Sequence, residues 1–373
     1  MAAARPLGVG VLGATGNIGG TYRAELRAIP EQARIVALCA RRRERLQRAH
    51  DEDGAELITT DWREVVGHPG VEAVLIATPD DQHLEPARAC AAAGRHLICE
   101  KPVARTAAEA VAIREAFRDS GLGHFVPFWS RYEPPLVRAR ELIADGAVGR
   151  VRWFTYRRHM PRTAGSAFTW RDDAAVSTAG AVADLGVHMI DVLRWMLGAE
   201  PQRVLAHGRV LESSKPYAGE LDMLEAQLCT EAHETRRPTA WDHGTVLVEL
   251  PGGIAGVLMT SESARVRGGL SPELEIHGET ASLAADSTSG RIELLRGGGP
   301  SHVETVATEA GVNRFGSYVL PALRERSAAP AGAASEHPGL DDGVCAARYV
   351  DACLRSARSG SWERVAAPHQ ERR

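Results

Sequence analysis

The first residues of the chain run from an apolar segment directly into a glycine-rich loop, and this junction constrains the fold more than any other feature. Gly8–Leu12 is short and apolar, Gly13-Ala-Thr-Gly16-Asn-Ile-Gly19 follows it, and a helical pattern occupies Ile18–Ile29. A strand, a tight glycine turn and a helix in this order begin a βαβ unit. The junction therefore predicts a parallel sheet whose first loop brings backbone N–H groups close to a phosphate.

The same alternation continues through the first third of the chain. The predicted strands are Gly8–Leu12, Ile35–Cys39, Ala73–Ala77 and His96–Cys99, and the predicted helices are Ile18–Ile29, Arg42–Asp53, Gln82–Ala93 and Ala107–Asp119. Strands that alternate with helices at this spacing form a doubly wound parallel sheet covered on both faces. We therefore predict an α/β fold with an N-terminal Rossmann domain over residues 1–127.

Beyond residue 127 the pattern changes to extended segments separated by turns. Predicted helices at Pro135–Asp145, Val182–Trp195 and Gly339–Arg358 accompany strands at Arg150–Arg158, Arg203–Leu211, Thr245–Glu249, Ile254–Ser261, Glu273–His277, Ser282–Ala285 and Ile292–Leu295. This order predicts a C-terminal α+β domain over residues 128–373, with a large, mostly antiparallel sheet that binds substrate and forms subunit contacts.

Composition is that of an ordinary globular protein and excludes two classes of partner. The chain is 44% hydrophobic and carries a net charge of −4, which gives no reason to expect nucleic-acid or membrane binding. Its six cysteines include no C-x-x-C pair and lie mostly in apolar segments, as buried thiols do in a reducing compartment. With no signal-peptide pattern at Met1, a cytoplasmic location is expected.

The residues that follow the second predicted strand bear on the choice of cofactor. An acidic residue at this position binds the ribose 2′-hydroxyl of NAD, whereas Ala40, Arg41 and Arg42 stand here. Arginines bind a 2′-phosphate, so NADP is favoured and NAD remains possible. The cofactor-binding residues expected from the loop and this strand are Gly13, Thr15, Gly16, Asn17, Ile18, Arg41 and Arg42.

Lysine is nearly absent, which draws attention to the two positions where it occurs. Of 44 basic residues 42 are arginine, leaving Lys101 and Lys215. A lysine kept against this bias indicates a role that guanidinium cannot fill, because an ammonium group is compact and can change its protonation state. Lys101 follows a predicted strand in Glu100-Lys-Pro102, whereas Lys215, in a polar turn, is interpreted as a surface residue without such a role.

A second cluster of chemically active side chains has helical spacing. Asp184 and His188 are four residues apart and Asp191 follows three later, so one helix face carries all three. A carboxylate beside an imidazole suits proton transfer, but the trio could equally form a buried structural network. A metal site is disfavoured because no further ligand with recognisable spacing lies nearby.

Taken together, these motifs resemble the Gfo/Idh/MocA oxidoreductases over nearly the whole chain. The resemblance is carried by Gly13–Gly19, by Ala77-Thr-Pro-Asp-Asp-Gln-His83, by Glu100-Lys-Pro102 and by D-x-x-x-H-x-x-D from Asp184. The glycine loop alone also resembles extended short-chain dehydrogenases, which need Y-x-x-x-K. Leu97 and Leu211 stand four residues before the only two lysines and exclude that chemistry.

The resemblance implies an NAD(P)-dependent dehydrogenase or reductase acting on a secondary alcohol or ketone of a sugar or cyclitol. It implies that Lys101, His188 and Asp184 are catalytic. It places Thr78, Pro79, His83, Glu100, Lys101, Trp170 and Arg171 at the cofactor, and Lys101, Trp129, Arg131, Asp184 and His188 at the substrate. Trp129 stands where many members of the family have Asn, and the glycine loop is one residue longer than the usual fingerprint.

Three other functions remain open on the same fold. They are a reductase of a nucleotide-linked keto sugar, a redox-neutral NAD-dependent glycosidase and a non-catalytic dinucleotide sensor. Apolar residues on both faces of the predicted strands Thr245–Glu249 and Ile254–Ser261 predict a homodimer or homotetramer that packs sheet against sheet, unless segment 212–244 covers that face.

Overall fold

The computed structural model describes residues 5–160, 162–163, 165–219, 221, 223–230, 234–263, 273–297, 300–308, 311–330 and 335–366. The chain forms two compact units. Unit 1 comprises residues 1–127, 222–224 and 311–344, and unit 2 comprises 128–221, 225–310 and 345–373. The first segment of unit 1 ends at residue 127, and residues 311–344, which the prediction places in the second domain, cluster with unit 1.

Unit 1 is built on a six-stranded parallel sheet in the order β3-β2-β1-β4-β5-β6. Its strands are β1 (Leu7–Leu12), β2 (Ala33–Cys39), β3 (Leu57–Thr59), β4 (Ala73–Ile76), β5 (His96–Cys99) and β6 (His124–Phe125), and its helices before residue 127 are α1 (Asn17–Arg27), α2 (Arg43–Asp53), α3 (Trp62–Gly67), α4 (Leu84–Ala92) and α5 (Ala107–Phe117). The central strands are almost wholly buried. The doubly wound fold is confirmed, and β3, α3 and β6 add to the elements predicted.

Residues 311–344 join unit 1 through the outer surface of α1. The Glu25 carboxylate accepts hydrogen bonds from the Arg314 guanidinium (2.8 Å) and from the Phe315 backbone N–H (3.0 Å). The Phe315 ring lies edge-on to the buried Tyr22 at 6.4 Å. A π-helical turn at Phe315–Val319 then continues into α10 (Leu320–Ala328). Nothing in the local sequence pattern predicts these long-range contacts, which explains why the boundary was placed differently.

Unit 2 contains a nine-stranded sheet in the order β16-β15-β14-β13-β7-β12-β11-β8-β17. Its strands are β7 (Val151–His159), β8 (Arg203–Arg209), β11 (His243–Leu250), β12 (Ile254–Ser261), β13 (Glu273–Gly278), β14 (Ala281–Asp286), β15 (Arg291–Arg296), β16 (His302–Thr305) and β17 (Glu363–Arg364). All pairs are antiparallel except β7 with β12. The predicted large, mostly antiparallel sheet is confirmed. A separate antiparallel pair joins β9 (Lys215–Tyr217) to β10 (Glu234–Arg236).

One face of the large sheet packs on helices of unit 2 and the other stays open. The remaining helices are α6 (Pro134–Ala144), α7 (Ala174–Ser177), α8 (Val187–Leu197), α9 (Met223–Leu228) and α11 (Leu340–Ser359). Alternate residues such as Phe154, Val246, Leu258 and Ile276 are buried, as expected for a sheet with one covered face. The stretch Ala174–Leu197 is long and apolar enough to cross a membrane, but 83% of its 18-residue apolar window is buried, as in a core helix.

Candidate active site

The glycine loop of unit 1 is shaped by two positions that admit no side chain. Gly13 has φ +77°, and a Cβ there would lie 2.4 Å from the Ala77 carbonyl oxygen. A Cβ on Gly19 would lie 2.2 Å from the Gly13 carbonyl oxygen. The loop is therefore bare backbone that leads into α1, whose N-cap residue, Gly16, provides no side-chain cap. The first-turn N–H groups of such a helix are suited to a phosphate.

The end of β2 holds this loop in place and carries the arginines predicted to select the cofactor. The Cys39 carbonyl accepts hydrogen bonds from the N–H groups of Gly13 (3.0 Å) and Ala14 (3.1 Å). Arg41 and Arg42 follow and are exposed, while Ile18 on α1 is 36% exposed. The residues expected to bind the phosphates and the ribose thus come from two adjacent strand ends.

The loop after β4 carries Thr78 and leads to His83, two residues expected at the cofactor. The Thr78 Oγ1 atom is buried without a hydrogen-bond partner among the described residues. His83 is wholly buried, with Nε2 2.9 Å from the Thr78 carbonyl and Nδ1 3.0 Å from the Pro102 carbonyl. Burial lowers the pKa of His83 against the opposing effect of these carbonyls. His83 therefore links two loops, whereas the sequence analysis places it beside the cofactor.

Lys101 follows the end of β5 and is held there by the residue before it. The Glu100 carboxylate accepts hydrogen bonds from the Tyr22 hydroxyl (2.9 Å) and from the Lys101 backbone N–H (3.2 Å). Burial and the Glu100 charge raise the pKa of Tyr22 well above its usual range, so it stays a neutral donor. The carboxylate of Glu100 thus faces α1 and fixes the backbone of Lys101, and the Lys101–Pro102 peptide bond is cis.

These unit 1 residues fit a nicotinamide dinucleotide. The bare glycine loop accommodates a pyrophosphate, because added Cβ atoms would fill the space that the turn needs. Thr78 Oγ1 offers a buried hydroxyl that a ligand can satisfy. The carboxyl ends of β1, β2, β4 and β5 lie at one edge of the parallel sheet, where doubly wound proteins bind ligands.

In unit 2, Asp184 and His188 lie on two different kinds of helix. Asp184 belongs to a π-helical turn, Val182–Gly186, and His188 to α8, which continues from it. The turn is preceded by Thr178 with φ +47°, an outlier for a β-branched residue. π-turns and strained backbone cluster at functional sites. The sequence analysis correctly predicts a helix here but not the wider turn that sets the direction of Asp184.

Asp191, the last residue of the D-x-x-x-H-x-x-D pattern, forms a buried ion pair with Arg131. The Arg131 guanidinium donates two hydrogen bonds to Asp191, at 2.8 and 2.5 Å, and the two residues are 6% and 2% exposed. This bidentate pair uses the guanidinium that we expected at the substrate. His188 is 8% exposed and lies edge-on to Phe128 at 5.9 Å. Trp129 begins the short helical turn that contains Arg131 and is partly buried.

Trp170 and Arg171 lie in a single helical turn that is directed toward Asp184. The Arg171 guanidinium carbon stacks 4.2 Å from the Trp170 ring. Its Nε atom lies 3.7 Å from the Asp184 Oδ2 atom, and both side chains are less than one quarter exposed. Arg171 is expected at the cofactor and Asp184 at the substrate. The structure brings the two side chains together as an ion pair.

A buried cluster of charged side chains begins at Asp172, the residue after Arg171, and no sequence motif predicts it. Asp172 Oδ1 accepts hydrogen bonds from Lys215 Nζ (2.6 Å) and Arg162 Nη1 (3.0 Å), and Arg162 also pairs with Glu262. Burial, together with the negative charge of Asp184, raises the pKa of Glu262 to about 7, although Arg162 lowers it. The interpretation of Lys215 as a surface residue is wrong, since its side chain is 11% exposed. The local sequence, a polar turn, gave no signal of this role.

The described ranges contain no group of three or more His, Cys, Asp or Glu side chains placed to hold a metal ion. The cluster around Asp172 alternates carboxylates with Arg162, Arg171 and Lys215 instead. Fixed cations supply the positive charge at these carboxylates.

Comparison with known proteins places this geometry in a family. Residues 7–128 match the model of the oxidoreductase family with an NAD-binding Rossmann fold, and residues 136–284 match that of the GFO/IDH/MocA C-terminal domain. The chain is 27% identical to inositol 2-dehydrogenase of Rubrobacter xylanophilus over 96% of its length and 93% of that protein. It is 39% identical to levoglucosan dehydrogenase of Pseudarthrobacter phenanthrenivorans, over 39% of its length and 38% of that protein.

A solved structure agrees with these matches over almost the whole molecule. Levoglucosan dehydrogenase in complex with NADH and levoglucosan superposes with a TM-score of 0.81 at 25% identity, covering 97% of this chain and 100% of that one. The two matched domains account for most of the chain, in the order that the sequence motifs predict. The chain therefore belongs to the GFO/IDH/MocA family of oxidoreductases and is an NAD(P)-dependent dehydrogenase.

Proposed function

We propose that the protein transfers a hydride between NADP and a secondary alcohol or ketone of a sugar, sugar derivative or cyclitol. The observation that carries this proposal is Lys101, the lysine retained at the end of β5 and fixed there by the Glu100 carboxylate. Both inositol 2-dehydrogenase and levoglucosan dehydrogenase, the relatives described above, act on polyhydroxylated rings. Inositol and levoglucosan are accordingly the first substrates to assay, followed by phosphorylated and nucleotide-linked sugars.

The proposed chemistry divides three tasks among the chain's own residues. The bound cofactor supplies or accepts the hydride at its nicotinamide ring. Lys101 donates a hydrogen bond to the reacting oxygen and stabilises the charge that develops there. His188 takes the hydroxyl proton during oxidation and returns it during reduction. Asp184 binds the substrate hydroxyls, and its ion pair with Arg171 helps to orient the carboxylate.

We also propose a reducing, cytoplasmic location. All six cysteines are free thiols, and five of them are buried. Free buried thiols are typical of proteins that are not exposed to an oxidising compartment.

Replacing Lys101 with Arg tests the proposed role of the ammonium group. We expect Lys101→Arg to bind the cofactor normally but to lower kcat by at least about 10²-fold, because the wider guanidinium cannot occupy the position of a compact donor. Steady-state kinetics with inositol and levoglucosan measure this. The matched control is Arg105→Lys, which makes the reverse exchange four residues away in the same segment and should keep kcat within a few-fold. If Lys101→Arg also stays within a few-fold of wild type, Lys101 contributes charge alone.

The arginines after β2 should determine the cofactor preference. We expect the wild type to prefer NADP(H), and the triple variant Ala40→Asp, Arg41→Ser, Arg42→Ser to prefer NAD(H). Each lost charge-assisted contact to the 2′-phosphate costs about 1.5–3 kcal/mol, while the new acid binds the 2′-hydroxyl. Comparing kcat/KM for the two cofactors gives the result, with Arg48→Ser, farther along α2, as the control. A wild type with higher kcat/KM for NAD(H) would contradict the proposed preference.

The open face of the large sheet should form a subunit interface. Strand register places Trp153, Leu247, Met259, Leu295 and Val303 on one face, and each is between 37% and 47% exposed. A face that exposes five large apolar side chains, opposite the helix-covered face, is typical of a partner surface.

We therefore expect light scattering to give a mass at least about twice the 40.1 kDa of one chain at micromolar concentration. The double variant Leu247→Asp, Met259→Asp should give monomers, because it places charges in the centre of this face. Leu211→Asp, at an exposed apolar position outside the strands of the sheet, is the control and should leave the mass unchanged. A wild type that is monomeric throughout this range would rule out the interface.

A further inference from the structure

Lys215 is the second of only two lysines in a chain with 42 arginines, and it is not at the surface. Its side chain is 11% exposed, and its Nζ atom lies 2.6 Å from the Asp172 Oδ1 atom. It begins β9, a strand whose carbonyl at Pro216 accepts the Phe168 backbone N–H at 2.7 Å. Two contacts therefore join this strand to the segment that carries Trp170 and Arg171. One is the backbone hydrogen bond at Pro216, and the other is the ion pair between Lys215 and Asp172.

Asp172 is the point at which this segment is held. Its Oδ2 atom accepts the backbone N–H (2.8 Å) and the hydroxyl (3.2 Å) of Thr169, which closes the turn on itself. Its backbone carbonyl accepts the N–H groups of Thr239 (2.8 Å) and Ala240 (3.0 Å). With Lys215 on Oδ1, both ends of the Trp170–Asp172 turn are fixed by one carboxylate that is 5% exposed.

We propose that Lys215 is a positioning residue for catalysis, which holds Asp172 so that Arg171 stays paired with Asp184. The inference rests on the proposed function, because it takes Asp184 as a substrate-binding residue. Lys215 acts through two intermediate contacts, the 2.6 Å bond to Asp172 and the 3.7 Å pair between Arg171 and Asp184.

The balance of charge explains why the cluster needs this cation. Arg162 binds both Asp172 and Glu262, two carboxylates that are nearly buried. Lys215 adds a second cation on Asp172, so that Arg162 can also compensate Glu262. Without Lys215, Asp172 and Glu262 compete for Arg162, and a buried carboxylate with too little compensation rearranges or takes up a proton. Either change would displace the turn that presents Arg171.

Three variants separate positioning from general stability. Lys215→Met removes the charge and keeps an unbranched side chain, while Lys215→Arg restores the charge. Arg236→Met is the matched control: Arg236 lies directly opposite Lys215 in the β9–β10 pair but binds the neighbouring Asp173 at 3.2 Å. Each is assayed with NADP⁺ and the faster of inositol and levoglucosan. Hydrogen–deuterium exchange of residues 165–173 provides a readout that does not depend on turnover.

Lys215→Met should lower kcat by about 10- to 100-fold, the effect expected when catalytic groups are displaced by about 1 Å. The KM for NADP should change less than kcat, because only Trp170 and Arg171, of the residues expected at the cofactor, lie in unit 2. Exchange in residues 165–173 should become faster. Lys215→Arg should recover kcat to within about threefold of wild type. Arg236→Met, which also loses contacts with Asp173 and Phe168 in the same segment but leaves Asp172 bound, should keep kcat within about threefold of wild type.

Three results would overturn the inference alone. The first is faster exchange in Lys215→Met without a loss of kcat, and the second is an equal loss of kcat in Arg236→Met. The third is unchanged exchange in Lys215→Met. A wild type that oxidises none of the sugars or cyclitols would instead contradict the proposed function, and the inference with it.

Discussion

The parallel arrangement of strands in unit 1 is the constraint on which the proposed activity depends. Because β1, β2, β4 and β5 all run in one direction, their carboxyl ends lie at one edge of the sheet. The residues that follow each strand are therefore neighbours although they are far apart in sequence. This edge collects a bare glycine loop, two exposed arginines, an unsatisfied threonine hydroxyl and Lys101. No single motif could assemble these groups by local structure alone.

Unit 2 positions its polar residues by a different principle, the compensation of buried charge. Removing a carboxylate from water is costly unless cations and hydrogen-bond donors surround it. Asp191 is satisfied by Arg131 and Asp172 by Lys215 and Arg162. The contact of Arg131 with Asp191 holds the helix that carries His188, and the contacts of Asp172 hold the turn whose Arg171 pairs with Asp184. The free-energy cost of burying these carboxylates is thus offset by contacts that also position the two segments.

The sequence predicted the parallel sheet, the family and most of the longer strands, whose ends it placed within two residues, because hydrophobic alternation and glycine turns are local signals. β5 was predicted at His96–Cys99, where it is found. The residues assigned by family resemblance were harder to place. Arg131, expected at the substrate, is bound to Asp191, and His83, expected beside the cofactor, is wholly buried between two loops; both ligand contacts stay predictions. The pairing of side chains separated by 60 residues, as in Arg131 with Asp191, cannot be inferred from the local pattern.

Replacement of His188 tests the proposed reaction most directly, because proton transfer distinguishes a dehydrogenase from a dinucleotide-binding protein. In the ketone-reduction direction the imidazolium donates the proton, so kcat/KM should fall at high pH as that proton is lost. We predict that His188→Ala lowers kcat by about 10²–10⁴-fold and removes this alkaline fall from the pH profile. A His188→Ala variant with the wild-type profile and a kcat within a few-fold of wild type would contradict the assignment.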